Sequence, residues 1–182
     1  MTRESASQTA GPYLHIGLAP NAAGLPMFGG DLGARMVGDG AEGTRMVLTG
    51  EIRDGSGAAV TDALVEMWQA DAAGHCPARD PAFTGWGRTT CDTAGRFRFE
   101  TLRPGALDGQ APHVTLWIAA RGIGLALQTR VYFPDAPENA TDPVLSRVPE
   151  SRRDTLIAAA TPEGYNIKIT LQGADETVFF DI

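Results

Sequence analysis

Long apolar runs are missing from this chain of 182 residues. A stretch of about 18 apolar residues would be needed for a membrane-crossing helix, and none occurs. The opening MTRESASQTAGPYLH lacks the apolar core of a secretory signal. Cysteine is nearly absent, with only Cys76 and Cys91. A disulfide framework is therefore not expected, and a reducing cytoplasm fits. Only three histidines occur, His15, His75 and His113, and none stands two or four residues from another. The H-x-H and H-x-x-x-H pairs that seed many metal sites are thus missing. So are a G-x-S-x-G turn and a glycine-rich phosphate loop opening a helix. Basic charge is not in excess either. The formal net charge is −7, which argues against general affinity for nucleic acid or an anionic membrane.

What the chain does have is glycine and proline, 22 and 12 of them without a fibrous period. They favour short elements joined by turns. Seven segments read as strands: 46–53 (MVLTGEIR), 63–69 (ALVEMWQ), 96–100 (RFRFE), 113–119 (HVTLWIA), 125–133 (LALQTRVYF), 165–171 (YNIKITL) and 177–182 (TVFFDI). Arg96–Glu100 alternates cleanly, with Phe97 and Phe99 on one face. The 63–69 segment is apolar on both faces except at Glu66, which predicts a central buried strand. The expected fold is all-β, a β-sandwich of seven to eight or more strands, with an irregular N-terminal arm and one short helix at 150–160. Residues 1–45 lack a sustained period and read as arm and cover. Residues 46–182 read as the sandwich, in one domain overall. Residues 134–149 read as surface loop, and Trp68, Trp86 and Trp117 as core.

Several residues invite chemistry. His75 and Cys76 are neighbours, but adjacent side chains on an extended chain diverge, which argues against a nucleophile pair. Asp71, Asp80, Asp92 and Asp108 sit near turns, where carboxylates cap backbone amides. Arg130 is less easily explained. On its strand, Leu125, Leu127, Thr129, Val131 and Phe133 share one face, while Gln128, Arg130 and Tyr132 share the other. An arginine there either pairs with a structural carboxylate or meets an anionic ligand or a partner's acidic group.

Four stretches together resemble the intradiol ring-cleaving dioxygenases. They are LVEMWQADAAG at 64–74, GWGRTTCDTAGRFRFETLRPG at 85–105, SQTAGPYLHIGL near the N-terminus and the closing ETVFFDI. The resemblance implies a β-sandwich and, in iron-binding members, a ferric ion held by two tyrosines and two histidines. Hard anionic phenolates suit Fe(III). Matched position by position, the tyrosines here are Cys76 and Leu107, and the histidine pair is His113 and Thr115. One ligand of four remains.

That departure resembles the metal-free subunit of the heteromeric members, whose Fe(III) belongs to a related iron-bearing partner subunit. In such members the first chain's arm helps wall the partner's substrate cavity. Carried over, the cavity residues are Thr9, Gly11, Pro12 and Tyr13 on the arm and Arg130 on its strand. A cation there suits a small aromatic acid bearing a carboxylate. The same resemblance implies a large interface, a higher hetero-oligomer and no activity from the chain alone. Two other readings remain: a β-sandwich binding module without catalysis, and a thiol enzyme using Cys76 with His75 or His113.

Overall fold

The computed structural model describes residues 8–27, 29–33 and 35–181. The first seven residues of the expected arm, and Ile182 of the expected last strand, lie outside the described residues. Eight strands form two four-stranded sheets. They are β1 (Arg45–Arg53), β2 (Leu64–Gln69), β3 (Trp86–Thr90), β4 (Arg96–Leu102), β5 (His113–Ala119), β6 (Leu127–Tyr132), β7 (Ala159–Thr161) and β8 (Gly164–Thr170). One sheet runs β4-β1-β8-β7 and the other β3-β2-β5-β6. All pairings are antiparallel except β1 with β8.

Period-two alternation builds the core. Met46, Leu48 and Ile52 of β1, Phe97 and Phe99 of β4, and Ile167 and Ile169 of β8 point inward from one sheet. Val65 and Met67 of β2, Val114, Leu116 and Ile118 of β5, and Val131 of β6 meet them from the other. Gly50 has no side chain because the Phe97 ring and Ile167 occupy the place of its Cβ. Gln69, buried at the end of β2, stitches the sheets together. Its Nε2 donates to the Leu102 carbonyl at 2.9 Å, and its Oε1 accepts from the Thr101 hydroxyl at 2.7 Å.

The structure departs from the sequence reading in several places. β3 and the three-residue β7 were not expected, because a glycine inside WGRTT and the Ala-Ala of β7 hide the period. The expected helix 150–160 is only α2 (Glu150–Arg153) followed by a 3-10 turn at Asp154–Leu156. A second helix, α1 (Pro12–Leu18), lies in the arm. Residues 134–149 are not merely surface loop, for Ala136, Asp142, Leu145 and Val148 are buried. Thr177–Asp181 is not a strand but pairs irregularly along β6. There the Phe180 amide donates to the Gln128 carbonyl, and the Thr129 hydroxyl donates to the Val178 carbonyl. Leu125, expected to open the 125–133 strand, is 70% exposed in the turn before β6. None of the three tryptophans is core. Trp68 is 51% exposed, and Trp86 and Trp117 are half-buried.

Candidate functional site

Those tryptophans lie on the outward face of the β3-β2-β5-β6 sheet. Strand register sets one row across all four strands: Trp86, Trp68, Thr115, Arg130. The next row is Arg88, Glu66, Trp117, Gln128. Neighbouring strands stand about 4.8 Å apart, so side chains in a row touch or nearly touch. Trp68 and Trp86 pack with ring centroids 6.0 Å apart.

Two segments cover this face from opposite ends and leave the Trp68–Arg130 row between them. At one end the 142–157 segment closes over Tyr132, which is fully buried with Ala111, Leu145, Val148 and Leu156. At the other end comes the arm. The Thr9 hydroxyl accepts from the Gly122 amide at 2.7 Å, in the turn joining β5 to β6. Gly11 caps α1 and Pro12 opens it, where a missing N–H costs nothing. The Leu18 carbonyl, ending α1, accepts from Arg88 at 3.2 Å. Arg88 in turn pairs with Glu66, its Nε 2.8 Å from the carboxylate. The helix buries none of its residues, and Tyr13 is 82% exposed. Among the described residues nothing lies within 4 Å of the Cβ position at Gly11.

Of the four ligand-matched positions, Cys76 and Leu107 lie in loops at the end of the sheet where β5 begins with His113, and Thr115 stands two residues into that strand. β2 ends at Gln69, opposite Val114 near the start of β5. The 71–76 loop that follows β2 therefore adjoins the 105–110 loop that precedes β5. Gly74 and Gly105 let those loops meet backbone to backbone, since a Cβ on Gly74 would run into the Ala106 carbonyl and one on Gly105 into the Ala72 carbonyl at 2.6 Å. The donor set, however, does not fit a ferric ion. Leu107 offers no donor, Thr115 offers a neutral hydroxyl, and Cys76 is an exposed thiol. Among the described residues, no group of three or more His, Cys, Asp or Glu could hold a metal.

His113 is neutral. Burial pushes its pKa down and the Arg130 charge adds to this, against the opposing pull of the Ala111 carbonyl and Asp142. Its Nδ1 lies 2.8 Å from the Ala111 carbonyl, which sets Nδ1 as the protonated nitrogen. The neighbouring His75 faces Asp71 at 3.3 Å, and no hydrogen bond joins it to Cys76.

Arg130 takes neither a carboxylate nor another charge among the described residues. Its Nη1 donates to Gln110 Oε1 at 2.7 Å and contacts the Tyr132 hydroxyl at 3.3 Å. Gln110 is delivered by a two-residue hairpin. Asp108 and Gly109 adopt φ of 48° and 75°, and Leu107 bridges Gln110 across them. Tyr132 reaches Asp142 Oδ1 at 3.1 Å. Asp142 is completely buried and also accepts the amides of Ala111, Val144 and Leu145 at 2.8, 2.9 and 2.7 Å. Burial alone would raise its pKa, but the hydrogen bonds from Leu145, Ala111, Val144 and Tyr132 hold it below the usual carboxylate range. Burial pushes the Tyr132 phenol up to about 12, so it stays protonated and donates to Asp142. Gln110 and Asp142 were not among the residues expected from sequence. The Asp-Gly pair beside Gln110 was the available signal for the first. Asp142, in a Thr-Asp-Pro run, gave none beyond a turn.

A profile of the family described as Dioxygenase matches residues 30–173. The dioxygenase domain of a carbohydrate-binding fusion from Streptomyces sp. SirexAA-E superposes with a TM-score of 0.60 at 24% identity, covering 75% of this chain and 84% of that one, a likeness of fold alone. The chain belongs to the intradiol ring-cleaving dioxygenase family. Along nearly its whole length it is similar to the protocatechuate 3,4-dioxygenase alpha chain of Pseudomonas putida, at 42% identity over 98% of this chain and 96% of that one. The beta chain of the Burkholderia cepacia enzyme is 39% identical over 74% of this chain and 67% of that protein.

Proposed function

We propose that this chain is the alpha subunit of a protocatechuate 3,4-dioxygenase and completes a substrate cavity whose Fe(III) is held by the beta subunit. The complex cleaves the ring between the two hydroxyl-bearing carbons of protocatechuate. Both atoms of O2 enter the product, 3-carboxy-cis,cis-muconate. In this reading the chain supplies no acid, base, nucleophile or metal ligand. It binds and orients. Thr9, Gly11, Pro12 and Tyr13 wall the cavity from the arm, and Arg130 faces the substrate carboxylate. Alpha-beta pairs assemble further into a higher hetero-oligomer, and two free thiols suit a cytoplasmic location.

One observation carries the reading. Arg130, half-buried and held among the described residues only by neutral oxygens, stands in the row of Trp68 and Trp86 on an outward sheet face. A charge kept unneutralised beside open aromatic surface suits an anionic aromatic ligand or partner better than a structural role. The donor set at the four matched positions explains why the ferric ion is assigned to the partner.

The test is iron content and protocatechuate-dependent oxygen uptake, measured on the chain alone and on the chain co-purified with its beta partner. Iron and turnover are expected only in the pair. Iron-dependent turnover by the chain alone would overturn the assignment. An Arg130→Ala complex with unchanged activity and KM would remove Arg130 from the cavity.

A further inference from the structure

We propose that Gln110, Tyr132 and Asp142 are positioning residues that aim the Arg130 guanidinium at the carboxylate of the aromatic acid. This rests on the reading of Arg130 given above and adds the means by which it is held.

The direction of the hydrogen-bond chain follows from what each group has to give. Asp142, ionised and buried, only accepts. Tyr132 has one proton, and it goes to Asp142 at 3.1 Å. What the phenol oxygen has left is a lone pair, and Arg130 Nη1 faces it at 3.3 Å. Gln110 Oε1 accepts from the same Nη1 at 2.7 Å. Asp142 itself is fixed by three backbone amides and by complete burial. The chain from Arg130 to the fold's interior is therefore rigid at its far end.

Two consequences matter for recognition. First, the guanidinium is gripped at Nη1 only. Its Nε and Nη2 make no hydrogen bond with the described residues. That edge is the fork that matches a carboxylate with two parallel bonds. Second, the grip uses neutral acceptors. The negative charge of Asp142 lies one residue further back, behind the phenol, so the cation keeps its charge for a ligand. A carboxylate at position 110 would grip Arg130 more strongly but would cancel that charge.

This last point separates positioning from a purely structural role. In the alpha-beta complex, Gln110→Glu, Gln110→Ala and Tyr132→Phe are compared with wild type by thermal melting and by steady-state kinetics. The substrates are protocatechuate and catechol, which lacks the carboxylate. Gln110→Glu is expected to melt at or above the wild-type temperature. Its preference for protocatechuate, the ratio of the two kcat/KM values, is expected to fall about tenfold or more, with the loss in the protocatechuate KM. Gln110→Ala and Tyr132→Phe are expected to lower the same ratio about three- to tenfold each. If all three variants keep the wild-type ratio while Arg130→Ala loses it, the positioning proposal fails and the role of Arg130 stands. Should Arg130→Ala also keep the ratio, both fall together.

Discussion

Asp142 is the residue on which the site end of the sheet depends. Its Oδ1 serves Tyr132, Val144 and Leu145, and its Oδ2 serves Ala111. Asp142→Asn keeps one acceptor oxygen and is expected to cost about 1–2 kcal/mol. Asp142→Ala strands several buried donors and is expected to cost about 3 kcal/mol or more, measured by urea unfolding. Acid should have a related effect. Asp142 and Asp71, both buried, are held below the ordinary carboxylate value in the fold. The unfolded chain therefore takes up protons first. Their stabilisation is complete above the unfolded value and is lost as pH falls through the folded one. The unfolding midpoint should drop with acidification across that window, and Asp142→Ala should flatten part of the drop. An unaltered slope in the variant would count against the assignment. At Gly74, with φ of 84° and the Ala106 carbonyl in the place of a Cβ, alanine is expected to cost about 2 kcal/mol or more by thermal melting.

At the scale of elements, the sequence was most legible where period two was cleanest. RFRFE, HVTLWIA and YNIKITL are strands because one face of each meets the opposite sheet. The tryptophans misled because a sandwich strand has two faces, and hydrophobicity does not say which one is covered. Trp68 alternates correctly with Met67 and belongs to the outward side. Tyr132 lies on that same side, yet the 142–157 segment buries it, a tertiary effect without a local signal. The grip on Arg130 had no such local signal, because it comes from a loop twenty residues earlier and, through Tyr132, from a turn ten residues beyond that tyrosine. Helix α1 was hidden for another reason: it buries no residue, so no apolar stripe marks it. That yields a test at its own scale. Residues 8–17 are nowhere buried, so a chain lacking residues 1–17 should melt within a few degrees of the full-length protein. Activity of the complex should fall sharply, because Thr9, Gly11, Pro12 and Tyr13 leave with the segment. A truncated chain supporting full activity would dismiss the arm from the cavity.

For the whole molecule, the distribution of apolar surface decides what it associates with. Of the described residues, the large hydrophobic side chains left exposed are Tyr13, Ile16, Leu25, Met27, Leu32, Trp68 and Leu125. All lie on the arm, on the outward β3-β2-β5-β6 face or in the turn beside it, while the opposite sheet turns Arg96, Arg98, Glu100 and Lys168 to solvent. An acidic protein with its open apolar residues on one side is built to be covered on that side. Trp68 offers the cleanest probe, being half exposed, at the centre of its row and outside the core. Trp68→Glu should leave the thermal midpoint of the isolated chain nearly unchanged, since little packing is lost. Against the beta subunit it places a charge where an aromatic anchor is desolvated. Association should weaken about 30-fold or more, on the order of 2 kcal/mol, by titration calorimetry or co-purification. Equal affinity in the variant would move the interface off this face, and with it the reason for the row of Trp86, Trp68, Thr115 and Arg130 to stay open.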